Sequence, residues 1–519
     1  MGSTFGPLPG QIETVLYTAA HGGFSGQTVP LGGGAAIANL LAGEWSRSKL
    51  FELKLLGPSI LGPSGPSARE IVSFNEHQYA AFCNSFRKAS TQKVLEHDPA
   101  CTAVLVNDIS EGPEFELIAR AGFRIVTIYH VDVVAYIAAI YLRGLIRPET
   151  LTRWWERLRG SALGCLSPTI LRLIFEQQRA SLLWSERVVV PSAGMKEIML
   201  RCYPDTPPDR IEILPWGCPP AFGSSVNRLE PGQFGQEVAD TPLTGMVPAG
   251  GQVLPMPENQ VLSVIASAGA ALPKSPQVSV SEVAASSAPP SHDTSSPPPA
   301  ATSQRSPSLD SGDAGTAALR TEYGIEPGAR ILLCLSRISA EKGHDFVLKT
   351  LLEWEGALSF PSVPVWLFIC GEPAFMNGRR YSLRLATLAA RLKKVRVVFP
   401  GYVTGNRKRA FFRLSDLYLF PSSHESYGLT LMEALGSGLP AISRDHAGAR
   451  QILTPEFGVV VRGSGRSARL EFRHALETLL GDDSMRSSMA LAAARWAQAR
   501  PFSESAGRLA ELLARPSAP

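Results

Sequence analysis

The chain has little charge of either sign in excess. Its 50 Lys and Arg against 46 Asp and Glu leave a net +4, too slight a basic surplus to argue for a nucleic-acid partner. Its seven cysteines are scattered, with no C-x-x-C. That excludes a disulfide framework or a zinc ribbon as the organising device and fits a reducing compartment. No lysine or arginine precedes Arg47, so a secretory leader with a charged start is not expected. The longest apolar run, near Val133–Leu142, falls far short of the roughly 20 residues of a spanning helix. A cytoplasmic protein is expected, with peripheral contact to a membrane surface left open.

Several catalytic signatures are also missing. There is no H-E-x-x-H for a zinc hydrolase, no G-x-S-x-G nucleophile elbow and no D-x-D, the last being a usual metal-holding motif of one sugar-transferase fold. The glycine loop His21–Gly34 follows a buried strand (Ile12–Ala20) and precedes a helical run, as in a Rossmann-type half-domain. It carries neither G-x-G-x-x-G nor G-K-[ST], so it matches neither dinucleotide fingerprint nor P-loop. Its glycines either permit a tight turn only or let the backbone approach a ligand.

What is present is the stretch Pro421–Gly448, PSSHESYGLTLMEALGSGLPAISRDHAG. A loop follows the strand Asp416–Phe420, and Leu429–Leu435 reads as a helix stopped by Gly436, Gly438 and Pro440. Glu425 falls before that helix and Glu433 about two turns beyond. The amides of Gly428, Leu429 and Thr430 would stand unpaired at its positive end, where a phosphate can be held. Two carboxylates can meanwhile accept hydrogen bonds from sugar hydroxyls. The plain alternative is a capped helix with Glu433 solvated. A second loop, Ser336–Gly343, follows the strand Arg330–Leu335 and carries Arg337 and Lys342. Two fixed cations there suit a diphosphate; surface pairing with Glu341 is the structural alternative.

The remaining chain alternates strands and helices. Strands are read at Ser46–Leu56, Thr102–Asn107, Arg124–Tyr129, Arg187–Pro191 and Arg210–Leu214, then at Val365–Cys370 and Val395–Phe399. A helix spans Ser73–Glu96, another follows Asn107 with Ser110 as its cap, and Ser192 caps a third. His130 ends its strand, where ligands of open parallel sheets bind. Val131–Trp184 reads as helical. Its LTRWWERLRG segment mixes basic, Trp and apolar residues, which a membrane surface or a core-packing helix pair would each explain. From about Gly223 to Gly315, Ser, Ala, Pro and Gly dominate. Such composition cannot offset its ordering entropy, so a disordered insertion is expected, with Val261–Leu272 as its one apolar patch.

Pro421, Ser422, Glu425, Tyr427, Gly428, Leu429, Glu433, Ala434, Gly438 and Pro440 supply every fixed element of PS-x-x-E-x-[FY]-G-[LI]-x-x-x-E-A-x-x-x-G-x-P. The stretch thereby resembles the signature of the retaining glycosyltransferase family 4 (group 1). Ser336–Gly343 resembles that family's G-R-L-x-x-x-K-G, with serine for the first glycine. The resemblance implies an α/β GT-B fold of two Rossmann-like domains facing across a cleft. Residues 1–222 would form the acceptor-side domain, 223–317 the insertion, 318–500 the nucleotide-sugar domain, and 501–519 a helix packing back. It also implies a retaining hexosyltransferase that uses a nucleotide diphosphate sugar as co-substrate, needs no other cofactor, and acts on a glycan, lipid or small-molecule acceptor; metal independence is expected from the residues, since Arg337, Lys342 and the helix start at Gly428 can balance the diphosphate charge and no D-x-D is present. Arg337, Lys342 and the helix start would stabilise the leaving diphosphate. Glu425 would hold the sugar, Glu433 the ribose, and His130 would face the donor sugar. Gly371 and Tyr402 would frame the base, and Gly22 and Gly23 would approach from the other domain. A nucleotide-sugar epimerase of the same fold and a non-catalytic sugar-binding relative are the competing readings.

Overall fold

The computed structural model describes residues 12–22, 32–48, 50–62, 65–66, 70–71, 74–138, 145–159, 161, 169–220, 314–374 and 378–514. Gly23, the insertion at 221–313 with its patch Val261–Leu272, and parts of the expected helical stretch 131–184 lie outside them.

Two parallel six-stranded sheets organise the chain. The first contains β1 (Thr14–Thr18), β2 (Glu52–Leu56), β3 (Thr102–Val106), β4 (Arg124–Ile128), β5 (Arg187–Val190) and β6 (Ile211–Ile213), in the order β2-β1-β3-β4-β5-β6. The second contains β7 (Arg330–Leu335), β8 (Val365–Cys370), β9 (Val395–Gly401), β10 (Leu417–Phe420), β11 (Ala441–Arg444) and β12 (Gly458–Val461), ordered β12-β11-β10-β7-β8-β9. β1 (TVLYT) and β3 (TAVLV) are buried along their whole length, as strands covered by helices on both faces must be. Each sheet reverses its winding once, between β1 and β3 and between β7 and β10. In such sheets ligands bind outside the carboxyl ends at those points.

Local differences from the sequence reading have clear causes. Ser46–Leu56 is not one strand: the helix Gly33–Ser48 runs into it, because Trp45 is buried and its indole donates to the Ala506 carbonyl at 3.0 Å. Ser110 does not cap the next helix, which starts at Phe115 with Glu114 before it; the Glu114 amide is taken by Thr91 Oγ1 at 2.8 Å. The second sheet's first helix begins at Ala314, earlier than Ala318, and it is anchored by buried Leu319. Ser192 does cap its helix, accepting from the Met195 amide. Among the described residues no helix is long and apolar enough to cross a membrane.

The last helix, Phe502–Ala514, returns to the first sheet's side. Arg124 donates to the Leu512 carbonyl at 2.9 Å, and Ser505 Oγ bridges the Pro215 carbonyl and the Gly217 amide, each at 2.9 Å. Phe502 is fully buried and stacks on Trp216.

Candidate active site

The loops after β7 and β10 meet through backbone. Gly343 has φ +70°, and a Cβ there would stand 2.2 Å from the Pro421 carbonyl oxygen. Glycine alone allows this approach. It places Lys342 against Glu425, an ion pair 11% and 17% exposed, with Ser422 Oγ also donating to Glu425 at 3.1 Å. Burial alone would raise the Glu425 pKa, but Lys342, His446 and Arg337 hold it below the ordinary range. Lys342 thus pairs with Glu425 and not with Glu341, which is buried and accepts from Ser339 Oγ and, at 3.3 Å, from Tyr136 of the first half.

Eight residues on, Glu433 lies within the helix Leu429–Gly436, 7% exposed. It is not solvated. Lys408, from the helix Gly405–Leu414, meets Oε1 at 2.6 Å, while Oε2 is buried with no hydrogen-bond partner among the described residues. Burial raises its pKa, and Lys408 offsets this in part. At the helix start Gly428 has φ +123°. Its amide and those of Leu429 and Thr430 have no hydrogen-bond acceptor among the described residues. The Thr430 hydroxyl is occupied, accepting from Tyr418 at 2.7 Å.

Gly371 follows β8 with φ +150°, its amide on the Gly401 carbonyl at 2.8 Å; a Cβ would collide with the Ser336 carbonyl oxygen at 1.8 Å. It therefore fixes the chain that leads into Arg337. Tyr402 follows β9 and is half-buried.

On the first sheet, Gly22 closes a turn onto the Ala19 carbonyl. His130 follows β4, donates through Nε2 to Asn107 Oδ1 at 2.8 Å and lies over Trp216. Tyr17 donates to the same Asn107 oxygen at 2.7 Å. Burial depresses the His130 pKa to about 4. The ring is therefore neutral near pH 7, with Nδ1 left as an acceptor.

A further cluster beside it carried no signal in the sequence. His21 meets Glu111 at 3.0 Å, Tyr79 also donates to Glu111, and the His21 amide donates to Asp108 at 3.3 Å. Burial would lower the His21 pKa, but Glu111 and Asp108 raise it to about 9. Arg337 opposes that protonation and also favours the Glu425 carboxylate, so its charge acts on groups of both halves. Lys408, Asn107, His21, Tyr79 and Glu111 were thus all missed. Their partners lie 23 to 90 positions away, and no local pattern announces such pairings. Tyr136 packs edge-on to His424 at 6.1 Å, and Ser192 Oγ donates to the Ser426 carbonyl at 2.9 Å, so the two halves touch at the motif itself.

Two sheets facing through these loops define the GT-B class. HepE from Anabaena, solved with UDP and glucose, aligns over 97% of this chain and 99% of its own at TM-score 0.55 and 12% identity. Sucrose-phosphate synthase from Thermosynechococcus elongatus aligns over 96% and 98% at TM-score 0.59 and 13% identity. Residues 316–496 match the family model of the glycosyl transferases group 1. Over 190 residues the chain is 30% identical to the D-inositol 3-phosphate glycosyltransferase of Pseudarthrobacter chlorophenolicus, covering 36% of this chain and 43% of that protein. The match thus spans less than half the length of that relative.

Proposed function

We propose that the chain is a glycosyltransferase that moves a hexose from a nucleotide diphosphate sugar to a hydroxyl acceptor, with retention and without a metal ion. The observation that carries this reading is Glu433: a buried carboxylate with one oxygen on Lys408 and the other unpartnered, in a helix whose first amides are open. An unpaired buried acceptor is costly, and a ribose hydroxyl would satisfy it while the diphosphate lies at the helix start. Arg337 and Lys342 balance the charge that develops on the diphosphate as the sugar–oxygen bond breaks. Glu425 orients Lys342 and accepts from sugar hydroxyls. His130 and Gly22 face the sugar from the other half, and Gly371 and Tyr402 flank the base. The acceptor hydroxyl attacks C1 on the face the diphosphate leaves. Its proton passes to the departing phosphate oxygen, so the new C1–O bond replaces the old one in the same configuration.

The test is release of nucleoside diphosphate from α-linked UDP-, GDP- and ADP-hexoses, with and without a mixture of sugar, inositol and lipid acceptors, first in chelator and then with magnesium. Acceptor-dependent release in chelator, with an α-linked product by proton NMR, is expected. A β-linked product removes retention, activity only with magnesium removes the metal-independent reading, and no release from any donor removes the transferase reading.

A further inference from the structure

The helix Pro148–Leu158 turns adjacent tryptophans in opposite directions. Trp155 is buried, stacked on Phe175 at 4.9 Å in a cluster with Val134. Trp154 points away, 47% exposed, in an i, i+4 row with Leu158 at 41%; Leu145, just before the helix, is 86% exposed. The neighbouring row, Arg153 and Arg157, is exposed, as is Arg147. None of these three arginines makes an ion pair with a described residue, whereas Glu156 is already taken by Arg159 at 2.8 Å and Arg179 at 3.2 Å. An apolar row bearing an indole thus lies beside guanidinium groups with no carboxylate partner among the described residues, Arg153 Nε donating only to the Glu149 carbonyl at 3.1 Å. Indoles favour the water–hydrocarbon boundary, and arginines can place their stems in it while their heads reach anionic headgroups.

We propose that this face of the helix Pro148–Leu158 docks on an anionic lipid bilayer surface, with Trp154 and Leu158 in the headgroup boundary and Arg147, Arg153 and Arg157 on lipid phosphates. The inference holds whether or not the chain transfers sugar. It has a consequence for the site, because Val134, which packs on Trp155, shares its helix with Tyr136, the donor to Glu341.

Flotation of the full chain with vesicles of phosphatidylglycerol and phosphatidylcholine tests it, with pure phosphatidylcholine as the reference. Binding to the mixed vesicles only, released by high salt, is expected. Each arginine at the surface is worth about fivefold in affinity, so Arg153→Gln/Arg157→Gln should weaken binding roughly 25-fold. Trp154→Ser should weaken it further at unchanged salt dependence. These side chains are exposed, so circular dichroism and melting should match the parent. No flotation, or equal flotation of all variants, overturns the proposal. So does self-association that depends on Trp154 in sedimentation velocity without vesicle binding, which would assign the face to a second copy.

Discussion

Lys342 and Lys408 each hold one of the two glutamates. Lys342→Ala strands the largely buried Glu425, so it should lower both turnover and melting temperature; breaking a fully buried pair typically costs about 3–5 kcal/mol, an upper bound for this one. Arg337 is half-buried, and Arg337→Ala is therefore the cleaner probe. It should cut turnover by about 10² to 10³ with little change in melting. Near-native nucleoside diphosphate release in this variant would remove Arg337 from the diphosphate site.

The buried histidines give a pH signature. Burial first, with Lys342 adding for His446 and His344, holds His130 and His446 to about 4 and His344 to about 3. An unfolded histidine titrates near about 6.5, so below that the unfolded chain binds more protons. Stability should therefore fall as pH drops from about 6.5 toward 4. His21 has the opposite sign: raised to about 9, it contributes stability below about 6.5 that is lost as pH rises through about 9. Melting temperature should peak between these limits, and His21→Gln should flatten the alkaline side. A flat profile across the whole range would contradict the burial assigned to these rings.

At the scale of elements, the loop carrying Lys342 is held by one close backbone approach. With a Cβ only 2.2 Å from the Pro421 carbonyl and φ +70°, Gly343→Ala should cost at least about 2 kcal/mol and part the two loops. Differential scanning fluorimetry should show a lower melting temperature, and turnover should fall beyond what unfolding explains. A melting temperature equal to the parent's would mean the loops are not joined there. The elements themselves were largely legible. Nearly all twelve strands could be read as short apolar runs bounded by turn residues, because strands buried on both faces leave that trace. Boundaries failed where a distant partner decided them, as Ala506 does for the helix through Trp45 and Thr91 for the start at Phe115.

Across the whole molecule, a ring stack runs from site to C-terminal helix: His130 on Trp216 at 6.2 Å and Trp216 on Phe502 at 6.0 Å. Tyr427, inside the signature stretch, donates to the Trp216 carbonyl. Phe502→Ala should destabilise by about 3–5 kcal/mol as a buried aromatic truncation. It should also alter turnover, although Phe502 is not among the site residues. Loss of stability with unchanged turnover at low temperature would show that the stack does not support His130.

The sequence by itself determined the strand–helix alternation, the two loops bearing Arg337, Lys342, Glu425 and Glu433, and the compositional break near residue 223. Each is written within a few turns of chain, where periodicity, glycine placement and local charge leave a pattern. Only the tertiary structure decided that Lys342 serves Glu425 and not Glu341, that Lys408 serves Glu433, that His21 gathers Glu111 and Tyr79, and that Trp155 is core while Trp154 is surface. Those outcomes depend on which distant groups burial brings within a few ångströms, and a buried charge takes whichever partner the packing supplies.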